Sequence, residues 1–130
     1  MAEAAPSDMT VDEFLAWAME QTGRYELELG TVIAMSPETL GHLRAKDGAC
    51  AALAAAIRKA GLAYEALPDG ATVRVDTRTA YEPDALVYCG PRHPSRSIEV
   101  PDPIIVVEVA SPTSGTVSYT HLTLPTIYSV

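Results

Sequence analysis

The segment Pro103-Ile104-Ile105-Val106-Val107-Glu108-Val109-Ala110-Ser111 sets the tightest limit on the fold: an apolar, β-branched run between Pro103 and Pro112 with one carboxylate inside it. Such a run reads as a strand covered on both faces, of the kind found in the centre of an α/β sheet. Strand side chains alternate, so Ile104, Val106 and Glu108 share one face and Ile105, Val107 and Val109 the other. An ionised glutamate in that setting is costly unless a cation, a hydrogen-bond donor or water at the strand end compensates it. Two explanations stand side by side. Either Glu108 sits at a wet strand end and meets solvent or an arginine, or it belongs to a functional site.

The elements before this strand follow from local signals. Thr10-Val11-Asp12-Glu13 has the capping-box pattern and starts a helix, with Val11, Phe14, Leu15 and Ala18 at helical spacing, Met9 and Phe14 as a staple across the cap, and an end near Gln21. Arg24 to Leu29 and Thr31 to Met35 alternate as two short strands around Gly30, which predicts a hairpin. Ser36-Pro37-Glu38 reads as the start of a long helix that ends at about Lys59 or Ala60 with Gly61 as its cap, its apolar stripe being Leu40, Leu43, Cys50, Leu53, Ala54 and Ile57. His42 lies beside that stripe. Two further strands, Ala63 to Leu67 and Thr72 to Val75, are joined by the turn Pro68-Asp69-Gly70, and a polar loop at Asp76 to Thr79 precedes a strand over Tyr81 to Cys89. In that last strand Glu82, Asp84, Leu86 and Tyr88 share a face.

Composition limits the function classes. The chain has 130 residues, 48% of them hydrophobic, enough for one domain with a real core. Nine basic against 17 acidic residues give a formal charge of −8, which opposes coating a nucleic acid by charge alone, so any DNA contact is local or metal-assisted. Cys50 and Cys89 form no disulfide framework and read as free thiols in a reducing compartment. No window is long and apolar enough for a membrane span and residues 1–8 carry no secretion signal, so a cytoplasmic protein is expected, without membrane partners and free to self-associate as a homo-oligomer.

Asp84, at the start of one strand, and Glu108, late in another, converge on one side of the sheet if the two strands are neighbours. Hard divalent cations want that arrangement: magnesium takes one or two carboxylates and completes its shell with water and phosphate oxygens. The backbone carbonyl of Val109 is a natural further oxygen ligand. Glu26 reads on its own as a solvated face residue.

As a set, Arg24-Tyr25-Glu26-Leu27 followed by Gly30, the pair Pro83-Asp84 opening a strand, and Val106-Val107-Glu108-Val109 followed by Ser111-Pro112 resemble the Uma-two family of restriction-endonuclease-like proteins, within the PD-(D/E)XK nuclease superfamily. The resemblance covers about Met9 to Thr113. It implies an α/β fold: a restriction-endonuclease-like mixed sheet core with an N-terminal helix and one long packed helix, incomplete at the C-terminus. It also implies Asp84 and Glu108 as metal-binding acids for Mg2+ or Mn2+, Glu26 and His42 as further site residues, and DNA phosphodiester hydrolysis as the activity.

The chain departs from that family after the Glu108 strand. The family continues into a helix bearing a catalytic lysine, whereas this chain has no Lys or Arg beyond Arg96. Lys46 and Lys59 are conceivable substitutes, although Lys59 suits the C-terminal end of its helix. The stretch Val117 to Thr126 matches the translation of a transposase adapter used in sequencing libraries, so the natural frame is expected to end near Ser114 to Thr116. The expected organisation is a disordered lead at residues 1–8, a truncated restriction-endonuclease-like domain at 9–114 and an artefactual tail at 115–130. The fragment is expected to be inactive as written. The alternative is a non-catalytic protein-interaction module on the same fold, in which the acids are structural.

Overall fold

The structure is a computed structural model that describes residues 6–110 and the backbone of Ile127–Ser129. The first five residues of the lead, the pair Ser111-Pro112 and the whole adapter-like stretch Val117 to Thr126 lie outside the described residues. Helix α1, Val11–Ala18, forms as its cap dictates: the Thr10 hydroxyl accepts from the Glu13 N–H at 3.2 Å while the Glu13 carboxylate accepts from the Thr10 N–H at 2.9 Å. It stops earlier than expected, at the cap residue Met19. Tighter hydrogen bonds, Glu20 N–H to the Trp17 carbonyl and Gln21 N–H to the Ala18 carbonyl, carry the chain out of the helix.

The predicted hairpin is present as β1, Tyr25–Glu28, and β2, Thr31–Ala34, antiparallel with Glu28 opposite Thr31. Leu29 and Gly30 both take positive φ, 49° and 86°, as the two-residue turn that matches strand twist requires. A side chain on Gly30 would also collide with the Arg78 guanidinium. Helix α2, Leu40–Ala60, ends on Gly61 in the left-handed conformation at φ 66°, with Arg58 and Lys59 in its last turn. Its start differs from the Ser36-Pro37 reading. Thr39 is the cap, accepting from the His42 N–H at 3.1 Å, and residues 35–39 stay outside the helix.

The remaining strands are β3, Tyr64–Pro68, β4, Val73–Asp76, β5, Thr79–Tyr81, β6, Ala85–Cys89, β7, Pro103–Glu108, and β8, Ile127–Ser129. They form two sheets where one was expected. The first has the order β2-β1-β5-β4, the second β3-β6-β7-β8. The turn after Pro68 therefore carries the chain from one sheet to the other: β3 pairs with β6, and β4 pairs with β5 across the segment read as a polar loop. The apolar strand β7, which carries Glu108, lies between an antiparallel neighbour, β6, and a parallel one, β8.

Two apolar clusters hold these layers. Val11 and Phe14 of α1 pack on Leu27, Val32 and Ala80 of the first sheet, with Met9 against them as the staple predicts. Val73, Leu86, Tyr88 and Val100 form the second cluster. Helix α2 lies on the second sheet against β3 and β6. Its apolar stripe is only half covered among the described residues: Leu40 is 64% and Leu43 42% exposed, and its one fully buried residue is Lys46. Cys50 and Cys89 are free and half-buried. No helix is long and apolar enough to cross a membrane among the described residues.

Candidate functional site

Antiparallel pairing of β6 with β7 sets Ala85 opposite Val107 and so brings Asp84, just ahead of β6, beside Glu108 at the end of β7. Two backbone hydrogen bonds fix the junction. The Asp84 N–H donates to the Val107 carbonyl at 2.9 Å, and the Val109 N–H donates to Asp84 Oδ2 at 2.6 Å. The two carboxylates expected to converge do so. They open into a cavity of about 610 Å³ that Glu26, His42 and Val109 also line, while Lys46 and Lys59, the conceivable lysines, are not in its lining.

The electrostatics of Glu108 distinguish it from a structural ion pair. Burial, then the nearby Asp84 and Glu26 carboxylates, push its pKa up to about 8, with Lys46 pulling the other way. Among the described residues it forms no salt bridge. Glu26, projecting from β1, is half-buried and not the solvated face residue its local pattern suggests. Its Oε2 accepts from the Glu82 N–H at 2.7 Å, and burial still raises its pKa above the ordinary carboxylate value.

Helix α2 supplies the other wall. His42 Nε2 lies 3.1 Å from Glu38 Oε1 and 3.7 Å from Asp84 Oδ2. One atom each from Glu38, His42 and Asp84 come within 4.8 Å of one another, a spacing that can hold a metal ion. One turn on, the ammonium of Lys46 donates to both Glu38 oxygens at 2.6 and 2.8 Å and to Asp69 at 2.6 Å, and lies 3.7 Å from Asp84. Burial works to lower its pKa, but the hydrogen bonds to Asp69 and Glu38 outweigh that and raise it. Lys46 sits behind the cavity wall; the cation that lines the cavity is Arg24, held by Asp69 at 2.9 Å and Glu82 at 3.2 Å.

Sequence reasoning missed much of this second circle. Local patterning gives Asp69 as a turn residue, Glu82 as a strand residue on the Asp84 face, Glu38 as a first-turn helix acid and Arg24 only as part of a motif. Arg24 pairs with Asp69 and Glu82 across separations of 45 and 58 residues, which local periodicity does not encode. A usable signal was Lys46 itself, a charged residue close to the apolar side of a helix.

The donor set suits a hard divalent cation. Six carboxylates, Glu26, Glu38, Asp69, Glu82, Asp84 and Glu108, share two permanent cations, Arg24 and Lys46, and Glu26 and Glu108 are left without an ion pair among the described residues. Half-buried carboxylates gathered this closely are costly to ionise together and are compensated by a cation or by a retained proton.

Comparisons with known proteins agree with this architecture. A solved structure, a putative nuclease belonging to DUF820 from Anabaena variabilis ATCC 29413, matches with a TM-score of 0.63 and 20% identity over 81% of this chain and 60% of that one. The likeness shows a shared fold, and this chain spans 60% of the length of that relative. No curated protein matches the chain. The family model Uma2, described as putative restriction endonuclease, matches residues 11–122. That span includes α1, both sheets up to β7 and every residue of the cavity, and on it the chain belongs to the Uma2 family.

Proposed function

We propose that this chain carries the metal-binding part of a DNA endonuclease, in which Asp84, Glu108 and the Val109 carbonyl hold one divalent cation, Mg2+ or Mn2+. The observation that carries the reading is Glu108, a half-buried carboxylate with no ion pair among the described residues, facing a cavity beside a second acid. A bound cation supplies Lewis-acid polarisation of a phosphate oxygen and activates water beside it. The chain's own groups do the rest. Asp84 is held in place by the Val109 N–H, so its carboxylate is pre-oriented before any ligand arrives. His42 borders both Asp84 and Glu38 and can hold a proton at Nε2. Glu26 deepens the negative field at Glu108. Arg24, lining the cavity, is the available cation to meet charge on a phosphate.

DNA is the substrate this reading implies. With a net charge of −8, approach to a polyanion depends on the cation and on Arg24 more than on the surface at large. Hydrolysis is proposed of the full-length family protein. This chain has no Lys or Arg after Arg96, and Lys46 does not line the cavity, so by itself it is proposed to bind metal and to cleave poorly or not at all. Its two free thiols suit a reducing, cytoplasmic setting.

Thermal melting tests the reading. Added Mg2+ or Mn2+ is expected to stabilise the native chain by about 2.7 kcal/mol at a concentration one hundred times its dissociation constant. Asp84→Asn and Glu108→Gln should abolish the shift. A native chain whose melting no divalent cation changes would favour the non-catalytic interaction module.

A further inference from the structure

We propose that Lys46 is a built-in cation: its ammonium takes the place beside Asp84 that a second divalent ion would otherwise take, so the native chain binds one such ion and a chain without that ammonium binds two. The inference rests on the reading of Asp84 and Glu108 as ligands of the first ion.

The geometry behind it is the double use of Glu38. The group Glu38, His42 and Asp84 has the donor atoms and the spacing for a metal ion. It shares Asp84 with the Glu108 pair, as two-ion sites share a bridging carboxylate. Yet both oxygens of Glu38 already accept from Lys46, at 2.6 and 2.8 Å, and the same ammonium lies 3.7 Å from Asp84. An ion seated among Glu38, His42 and Asp84 would share two carboxylates with a fixed positive charge only a few ångströms away. Repulsion at that range is far inside the screening length, and the ammonium that exerts it is buried.

Burial shows that the lysine is committed to this position. Lys46 is 5% exposed and contacts carboxylates where an exposed ammonium would contact water, with Asp69 at 2.6 Å completing its surroundings. Removing the ammonium while keeping the carboxylates would leave Glu38 and Asp84 without their fixed cation next to His42, while Asp69 keeps Arg24, and unbalanced charge of that kind is the condition that draws in a divalent ion.

The experiment counts ions per chain by titrating Mn2+ and following free Mn2+ by electron paramagnetic resonance. The native chain is compared with Lys46→Gln, with Lys46→Met, which keeps the aliphatic length, and with Lys46→Arg, which keeps the charge. Circular dichroism establishes that each is folded, and using two neutral variants means that a folding failure in one leaves the count to the other. One ion in the native chain and in Lys46→Arg, and two in a neutral variant, is the expected result. Two ions in the native chain overturn the inference without any variant. One ion in the native chain and still one in a folded neutral variant overturns it and leaves the Asp84 and Glu108 reading standing. No ion in the native chain overturns both.

Discussion

Glu108 links the stability of this fold to pH. Its pKa in the folded chain is raised from 4.5 to about 8, so across that interval the folded chain keeps a proton that the unfolded chain releases. The stabilising contribution is therefore complete below the unfolded value and is lost as the pH rises through about 8. Glu26 and Glu82, whose pKa values burial also raises, act in the same direction. The metal-free chain is expected to melt at progressively lower temperature as the pH rises from about 5 towards 8, and Glu108→Gln, which cannot ionise, to flatten that fall. An equally steep fall in the variant would contradict the role given to this carboxyl. Asp84 and Glu108 were legible in the sequence because strand alternation and an adjacent pair of strands suffice to bring them together. Lys46 was legible only as a candidate: nothing in its neighbourhood in the chain says that Glu38 reaches it from ahead of the helix or that Asp69 arrives from the β3 turn.

At the scale of elements, local chemistry predicted what local chemistry controls. The capping box of α1, the hairpin of β1 and β2 and the Gly61 terminus of α2 all formed because each depends on residues within a few positions of one another. The beginning of α2 did not follow the Ser36-Pro37 signal: Thr39 caps the helix, and Glu38 serves Lys46 and His42 from just ahead of it. The hairpin of β4 and β5 was missed because Asp76-Thr77-Arg78-Thr79 is polar throughout; its support is tertiary, with the Gly30 N–H donating to the Arg78 carbonyl and the Leu29 N–H to the Thr79 hydroxyl. The uncovered stripe of α2 leads to a paired prediction. Leu27→Ala, at a fully buried position of β1, should cost about 2–5 kcal/mol in denaturant unfolding, whereas Leu43→Ala on α2 should stay within about 0.5 kcal/mol. A large loss at Leu43 would mean that the helix face is covered in solution.

The whole molecule assembles its site from parts that are far apart in the chain. β1 supplies Glu26, the segment before α2 and its first turns supply Glu38, His42 and Lys46, and the paired ends of β6 and β7 supply Asp84, Glu108 and Val109. Two sheets, not one, make this possible, because β1 belongs to the first and β6 with β7 to the second, so the cavity lies where they meet. That division was not visible in the sequence: the turn after Pro68 marks a change of direction but not a change of sheet. The central claim is that Asp84 and Glu108 together bind a divalent cation, and calorimetric titration of the native chain with Mg2+ or Mn2+ tests it most directly. Binding that Asp84→Asn and Glu108→Gln each abolish in folded protein is the predicted result. Binding that survives both substitutions, or no binding to the folded native chain, would contradict it.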